Sequence, residues 1–354
     1  MKSDLLRLLL FIPRGIAVAV KLLFRMLRET VWGNEKQDLP AEKQDLPADG
    51  GNEKRDLAIS FRGDFYTRPG PRLTMAEYWT QHNVTGHSKF ISVEESLQNL
   101  DYRNKSYPGY IDLMPLAGWD DKVILDYGCG PGNDLVGFAH DSRPKRLIGI
   151  DISHTSLSQA EERLRLHDAS ADFLQMPYGV YDIPLESESV DYVHCSGVLM
   201  LIEEPSRLLK EFRRILKTDG QLKLMVYNYD SIWLHLYVAY VLQLENGLYS
   251  NVDVKEAFSR TTDGEDCPLV HVWRPSEMET MATAADFTSE YLGAAMSLWE
   301  LHLLPKRFKA AMDPRLRRES RDLLLELEFD RRGFPLYRGH YAGIDGCYRF
   351  SPRL

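Results

Sequence analysis

Five short apolar runs recur through the middle of the chain: "KVILDY" (122–127), "RLIGID" (146–151), "ADFLQM" (171–176), "SVDYVHC" (189–195) and "QLKLMVY" (221–227). Each has the length and apolar character of a buried strand, and the segments between them carry helical spacing. In "EPSRLLKEFRRILKTDG", Leu208, Leu209, Phe212, Ile215 and Leu216 share one face, and Gly220 is placed to stop the helix. Strand and helix alternating in this way imply a parallel sheet with helices on both faces. An apolar fraction of 44% in 354 residues is enough to fill such a core.

In a sheet of this kind, ligands bind beyond the carboxyl ends of the strands. The first such turn reads "ILDYGCGPGND", with Gly128, Gly130 and Gly132 at alternate positions and Asp126 just before them. A dinucleotide fingerprint would read GxGxxG, and a P-loop would continue into Gly-Lys-Ser/Thr. Neither pattern is present. The spacing therefore disfavours an NAD-dependent oxidoreductase and leaves a loop that brings its backbone close to a ligand without being a phosphate cradle.

This DxGxGxG turn resembles motif I of the class I S-adenosylmethionine-dependent methyltransferases, in the branch with a type 11-like domain. The likeness continues at Asp151, which ends the second strand where that family places its ribose-binding acid. It extends through "YDIPLESESVDYVHCSGVLMLIEEPSRLLKEFRRILKTDGQLKL". Residues 100–230 carry it most closely. The resemblance implies a doubly wound α/β fold, Rossmann-like, with seven mostly parallel strands, the last antiparallel, and a helical insertion after strand five. It also implies S-adenosyl-L-methionine as cofactor, with Asp126, Gly128, Gly130, Gly132, Asp151, Ile152, Val180 and Cys195 around it. Asp126 would act on the methionine ammonium, and Tyr102 or Arg103 on the methionine carboxylate, with Arg103 reading equally well as a solvated helix charge. One position departs from the family: Gly179 and Val180 stand where an acid and a small residue usually meet adenine. Backbone groups there, or Asp182 nearby, would have to replace that acid.

The acceptor is less legible. The (Asp/Asn/Ser)-Pro-Pro-Tyr/Phe signature of relatives that methylate planar amino groups is replaced by "HCSGV" after the fourth strand. Oxygen therefore moves ahead as the target atom, with carbon second. Asp263 and His271, in the polar part of the insertion, are the candidates for acid/base work. Asp263-Gly264 also reads as a turn pair, and His271 alternates with Val270 and Val272 as a strand residue would. Tyr78 and Trp79 suit either a lid or the packing of a covering helix. No metal site is expected, since Cys129, Cys195, Cys267 and Cys347 lie far apart.

Charge divides the chain. Residues 1–30 hold Lys2, Arg7, Arg14, Lys21, Arg25 and Arg28 against Asp4 and Glu29, a net of +4 on a chain of −9. Arg7, Arg14, Lys21 and Arg28 repeat every seven residues, which on a helix makes one basic stripe beside a broad apolar surface. Lying in a membrane interface suits that pattern best; packing on a protein surface and organelle targeting are the other roles it would suit. The longest charge-free run, Leu8 to Pro13, is too short to span a bilayer, which takes about 20 apolar residues. The acidic body argues against nucleic acid as partner. A small-molecule or lipid-linked acceptor is expected, with a cytoplasmic location that includes membrane contact. The expected organisation is an arm at 1–32, a disordered polar linker at 33–57, a covering segment at 58–120, the cofactor core at 121–230, an insertion forming the acceptor pocket at 231–285 and a closing segment at 286–354.

Overall fold

The computed structural model describes residues 73–353, so the arm, the linker and the start of the covering segment lie outside the described residues. Helices α1 (Met75–Gln81), α2 (Val93–Ser106) and α3 (Tyr110–Leu113) precede strand β1 (Val123–Tyr127). The alternation read from the sequence follows: α4 (Asn133–Asp141), β2 (Arg146–Asp151), α5 (His154–Leu166), β3 (Asp172–Gln175), β4 (Val190–Ser196), α6 (Pro205–Ile215) and β5 (Leu216–Tyr227). Helix α6 ends five residues before Gly220, which lies inside β5 and does not stop the helix as expected. The chain is already extended at Leu216, and the pairing of β4 with β5 shifts register between Val190 and Tyr192 to absorb the irregular entry.

The sheet has seven strands in the order β3-β2-β1-β4-β5-β10-β6, where β6 is Phe287–Ala295 and β10 is Asp345–Pro352. Strand β10 runs antiparallel between β5 and β6, and the other six are parallel to one another. The expected mostly parallel sheet with an antiparallel last strand is thus the observed one. A second sheet of three short strands, β7 (Glu328–Phe329), β8 (Pro335–Tyr337) and β9 (His340–Tyr341), was not foreseen.

Side-chain parity sorts the two faces. Ile124, Leu147 and Tyr192 pack in one cluster with Leu135, Phe138 and Leu157, whereas their neighbours Leu125, Ile148 and Val193 pack in the other with Leu208 and Phe212. Alternation along each strand sends successive side chains to opposite helical layers, as a sheet covered on both faces requires. Helix α6 buries Leu208, Leu209, Phe212 and Ile215 completely. Each of these contributes roughly 1.5–3 kcal/mol by leaving water.

The insertion begins with the expected apolar helix, Trp233–Glu245, wound here as a π-helix and almost entirely buried. Helices α7 (Val254–Thr261) and α8 (Pro275–Ala284) follow, and α9 (Leu298–Leu303), α10 (Arg307–Met312) and α11 (Arg318–Glu326) come after β6. Helices α7, α9, α10 and α11 all pack against the π-helix. Among the described residues, no helix is long and apolar enough to cross a membrane.

Candidate functional site

The carboxyl end of β1 delivers Asp126 and the glycine turn. Gly128, Gly130 and Gly132 all take positive φ, at 78°, 51° and 82°. Gly132 caps α4, and a Cβ there would come within 3.0 Å of the Ala160 Cβ and 3.1 Å of its Cα, so its bare backbone lets α4 and α5 approach. Gly130 differs: a Cβ there would meet nothing closer than 3.9 Å, leaving open space over its backbone. Its amide donates to Asp151 Oδ2 (2.9 Å), while Ser153 N donates to Asp151 Oδ1 (2.8 Å). Each carboxylate oxygen keeps a further lone pair for a ligand hydroxyl. Burial raises the Asp151 carboxyl above its ordinary value, and these backbone donors pull it back.

Asp126 is buried, and its Oδ2 has no hydrogen-bond partner. Burial pushes its carboxyl well up, the charge of Asp134 adds to this, and the guanidinium of Arg103 opposes it. A buried acid oxygen left unpaired is costly, so it marks a place where a donor or cation belongs. Asp134 itself is satisfied. It forms an ion pair with Arg103, and His194 Nε2 lies 3.3 Å from its Oδ2. Burial works against its charge, but Arg103 and His194 together hold its carboxyl below the usual range. Tyr192 Oη contacts the other ring nitrogen of His194 at 3.0 Å. Arg103 stacks over Tyr110, 4.8 Å from the ring centre, and its Nε remains buried without a partner. Tyr110 Oη shares a 2.7 Å hydrogen bond with Ser196 Oγ at the end of β4.

A second polar group adjoins the first across Arg103. Tyr227, the last residue of β5, donates to Asp263 Oδ1 (2.9 Å), and Tyr78 Oη donates to the Asp263 carbonyl. Asp263 Oδ2 is buried without a partner, and burial pushes the carboxyl up to about 6 against the hydrogen bond from Tyr227. Asp345 opens β10 directly opposite Tyr227 and is also buried. Burial lifts its carboxyl well above the ordinary value, the charges of Glu300 and Asp263 act the same way, and Arg103 opposes them. Tyr107 lies within the fields of Asp345, Glu300, Asp263 and Arg103, which places these side chains near one another. Glu300 is the exception among the acids. It accepts from Ser297 N, Ser297 Oγ, Trp233 N and Ile344 N, so it acts as a structural brace even though burial raises it to about 7.

The remaining expected positions are less engaged. His271 donates its amide to Met200, stacks on Trp273 at 5.1 Å between ring centres, and feels Lys255; burial lowers its imidazole. No described contact joins it to Asp263. The Cys195 side chain is fully buried in the core. Ile152 packs partly buried against that core and accepts from Gln175 Nε2 at 3.0 Å. Val180 is exposed in a turn that spends its amide on Pro177, and Gly179 and Asp182 beside it are exposed. Tyr78 is a packing residue that also grips Asp263. Asp134, Tyr107, Tyr227 and Asp345 escaped the sequence reading; Tyr227 and Asp345 are recognisable only once β10 is known to lie beside β5.

Comparison with known proteins decides what this arrangement is. Residues 125–224 match the family model described as "Methyltransferase domain". Residues 125–224 carry a methyltransferase domain. It is 31% identical over 201 residues to an uncharacterized 37.1 kDa protein in transposon TN4556 of Streptomyces fradiae, covering 55% of this chain and 53% of that protein. It is 33% identical over 102 residues to uncharacterized methyltransferase C1B3.06c of Schizosaccharomyces pombe, covering 27% of this chain and 37% of that one. It is also 30% identical over 118 residues to a tRNA U34 carboxymethyltransferase of Aliarcobacter butzleri, covering 33% and 38%. The chain thus spans about half or less of these relatives.

S-adenosylmethionine is the cofactor of this methyltransferase domain, and the residues present fit it. The unpaired Asp126 Oδ2 suits an ammonium, and the spare lone pairs of Asp151 suit ribose hydroxyls. Open backbone at Gly130 admits a ligand between them.

Proposed function

We propose that the protein transfers a methyl group to an oxygen of a small or lipid-linked acceptor, working at a membrane surface. Bound S-adenosylmethionine supplies an electrophilic methyl carried on a sulfonium; the residues of the chain position the acceptor and take its proton. The observation that carries this reading is Asp263. Its Oδ1 is fixed by Tyr227, its Oδ2 is unpaired, and its carboxyl is raised to about 6, a value suited to accepting a proton near neutral pH. Tyr107 and Asp345 flank it and would orient the acceptor hydroxyl. Arg103, through its free Nε, remains the group proposed to meet the cofactor carboxylate, steadied by Asp134. The basic, apolar pattern of residues 1–30 supports the membrane part.

The test is incubation of the full chain with methyl-labelled cofactor and a membrane-lipid extract, followed by partition and mass spectrometry. Label in a methyl ether or ester in the organic phase supports the reading. An N-methylated product overturns the oxygen assignment, and absence of label from every fraction with cofactor binding intact overturns the enzyme. Deleting residues 1–57 is expected to reduce sedimentation with anionic vesicles; unchanged sedimentation overturns the role of the arm.

A further inference from the structure

The layer of helices packed on the π-helix carries an unusual surface. Helix α10 turns Ala310 and Ala311 inward and presents Phe308 and Met312, one turn apart, at 68% and 79% exposure. Leu325 on α11 is 64% exposed, and Phe329 just beyond it is 43% exposed. These are not scattered residues. The guanidinium of Arg307 sits 4.3 Å from the ring centre of Phe308 and 4.7 Å from that of Phe329, joining two elements into one aromatic–cation–aromatic stack. Helices α10 and α11 pack against each other, so Leu325 belongs to the same face of the molecule. Large exposed apolar groups that adjoin one another mark an interaction surface.

The unpaired charge of this layer is net basic, four arginines against the exposed Glu326 and Glu328. Residues 298–332 contain nine Lys and Arg against seven Asp and Glu, one of which is the buried Glu300, on a chain whose net charge is −9. Several of these cations are already neutralised: Lys306 and Lys309 by Glu245, Arg315 by Asp313, Arg318 by Asp322 and Arg332 by Asp330. Arg307, Arg317, Arg321 and Arg331 have no carboxylate partner among the described residues. Exposed apolar side chains on short helices, with Arg307 between two of them and further unpaired arginines in the same segment, are complementary to an anionic lipid surface: the apolar tips enter the acyl boundary and the guanidinium groups meet phosphates. The chain's own N-terminal arm fits poorly as occupant, because at net +4 it would be repelled.

We infer that the face formed by Phe308, Met312, Leu325 and Phe329 around Arg307 docks the catalytic body onto an anionic membrane. This rests on the membrane-surface part of the proposed function but assigns it to different residues, outside the arm. The same layer is linked to the Asp263 group: Glu300 on α9 accepts from Trp233 N and Ile344 N, and its field reaches Tyr107. Docking by this face would hold the catalytic body at the bilayer, where a lipid-linked acceptor is presented.

The test uses the full chain with a single new thiol. All four native cysteines are buried, so Met312→Cys accepts an environment-sensitive dye selectively, and Glu186→Cys, exposed between β3 and β4, serves as control. Vesicles of phosphatidylserine and phosphatidylcholine are expected to blue-shift the dye at position 312 and not at 186, with a weaker shift for pure phosphatidylcholine. Replacing both Phe308 and Met312 by Ser is expected to weaken partitioning roughly tenfold or more. Both sites are exposed, so folding is preserved. Absence of a shift at 312 while the chain still sediments with vesicles overturns this inference and leaves the arm's role standing. A shift that appears without vesicles as protein concentration rises assigns the face to self-association and also overturns it. Methyl transfer to a soluble acceptor is unaffected in either case, which separates failure here from failure of the enzymatic reading.

Discussion

Replacing Asp126 by Asn should improve the empty protein while damaging its affinity for S-adenosylmethionine. The side chain is buried, its Oδ2 has no partner, and burial together with the charge of Asp134 raises its carboxyl well above the ordinary value. A carboxyl raised by folding binds more protons in the folded chain than in the unfolded one. Stability contributed by its protonated form is therefore complete below the unfolded value near 4 and falls as pH rises through the folded value. Asn has no charge to bury, so the variant should resist urea better than the parent at pH 7–8, and the difference should vanish at acid pH. Cofactor binding should move the other way. A hydrogen bond between ammonium and carboxylate contributes about 1.5–3 kcal/mol, so its loss should raise the Kd roughly ten- to a hundredfold. Affinity of the parent should also strengthen with rising pH as Asp126 ionises, and the variant should lack that dependence. Calorimetric titration and urea unfolding on the same samples check both halves. An unchanged Kd, or stability and affinity falling together, would refute the assignment of Asp126 to the cofactor ammonium.

Three further outcomes are expected. Asp263→Asn keeps an acceptor for Tyr227 but cannot take a proton, so turnover should fall by about two orders of magnitude or more with cofactor Kd unchanged, and the loss of rate below about pH 6 expected of the parent should be absent; a persisting acid limb removes Asp263 as base. Asp151→Ala should weaken cofactor binding by about 1.5–3 kcal/mol, and an unchanged Kd in equilibrium dialysis counts against its ribose role. Gly132→Ala and Gly179→Ala both force a left-handed residue, at φ 82° and 81°, but only the first drives a Cβ into Ala160. Urea midpoints should show about 1 kcal/mol lost at 179 and clearly more at 132; equal losses would mean that the α4–α5 contact is not tight.

Legibility followed the range over which each signal acts. Strand periodicity, the glycine turn and Asp151 are local patterns, and the sheet order and the placement of Asp126 follow from them through the handedness and burial of parallel strands. Gly220 misled because a helix stop was inferred from residue type alone, whereas the register shift into β5 had already extended the chain at Leu216. The acceptor side depends on contacts far apart in sequence. Tyr227 meets Asp263 across 36 residues, and Asp345 stands opposite Tyr227 only because β10 inserts between β5 and β6. Asp263-Gly264 reads as a turn pair, but the turn runs from Gly264 to Cys267, and Asp263 just before it keeps a carboxylate oxygen unpaired inside the protein. His271 carries the more reactive side chain by type, but its ring is stacked on Trp273 with no described contact to Asp263. Chemistry in this protein is therefore sought among the buried polar atoms that remain unpaired, which include Asp126 Oδ2, Asp263 Oδ2, Arg103 Nε and His271 Nε2. That property belongs to the assembled fold and cannot be read from any single segment.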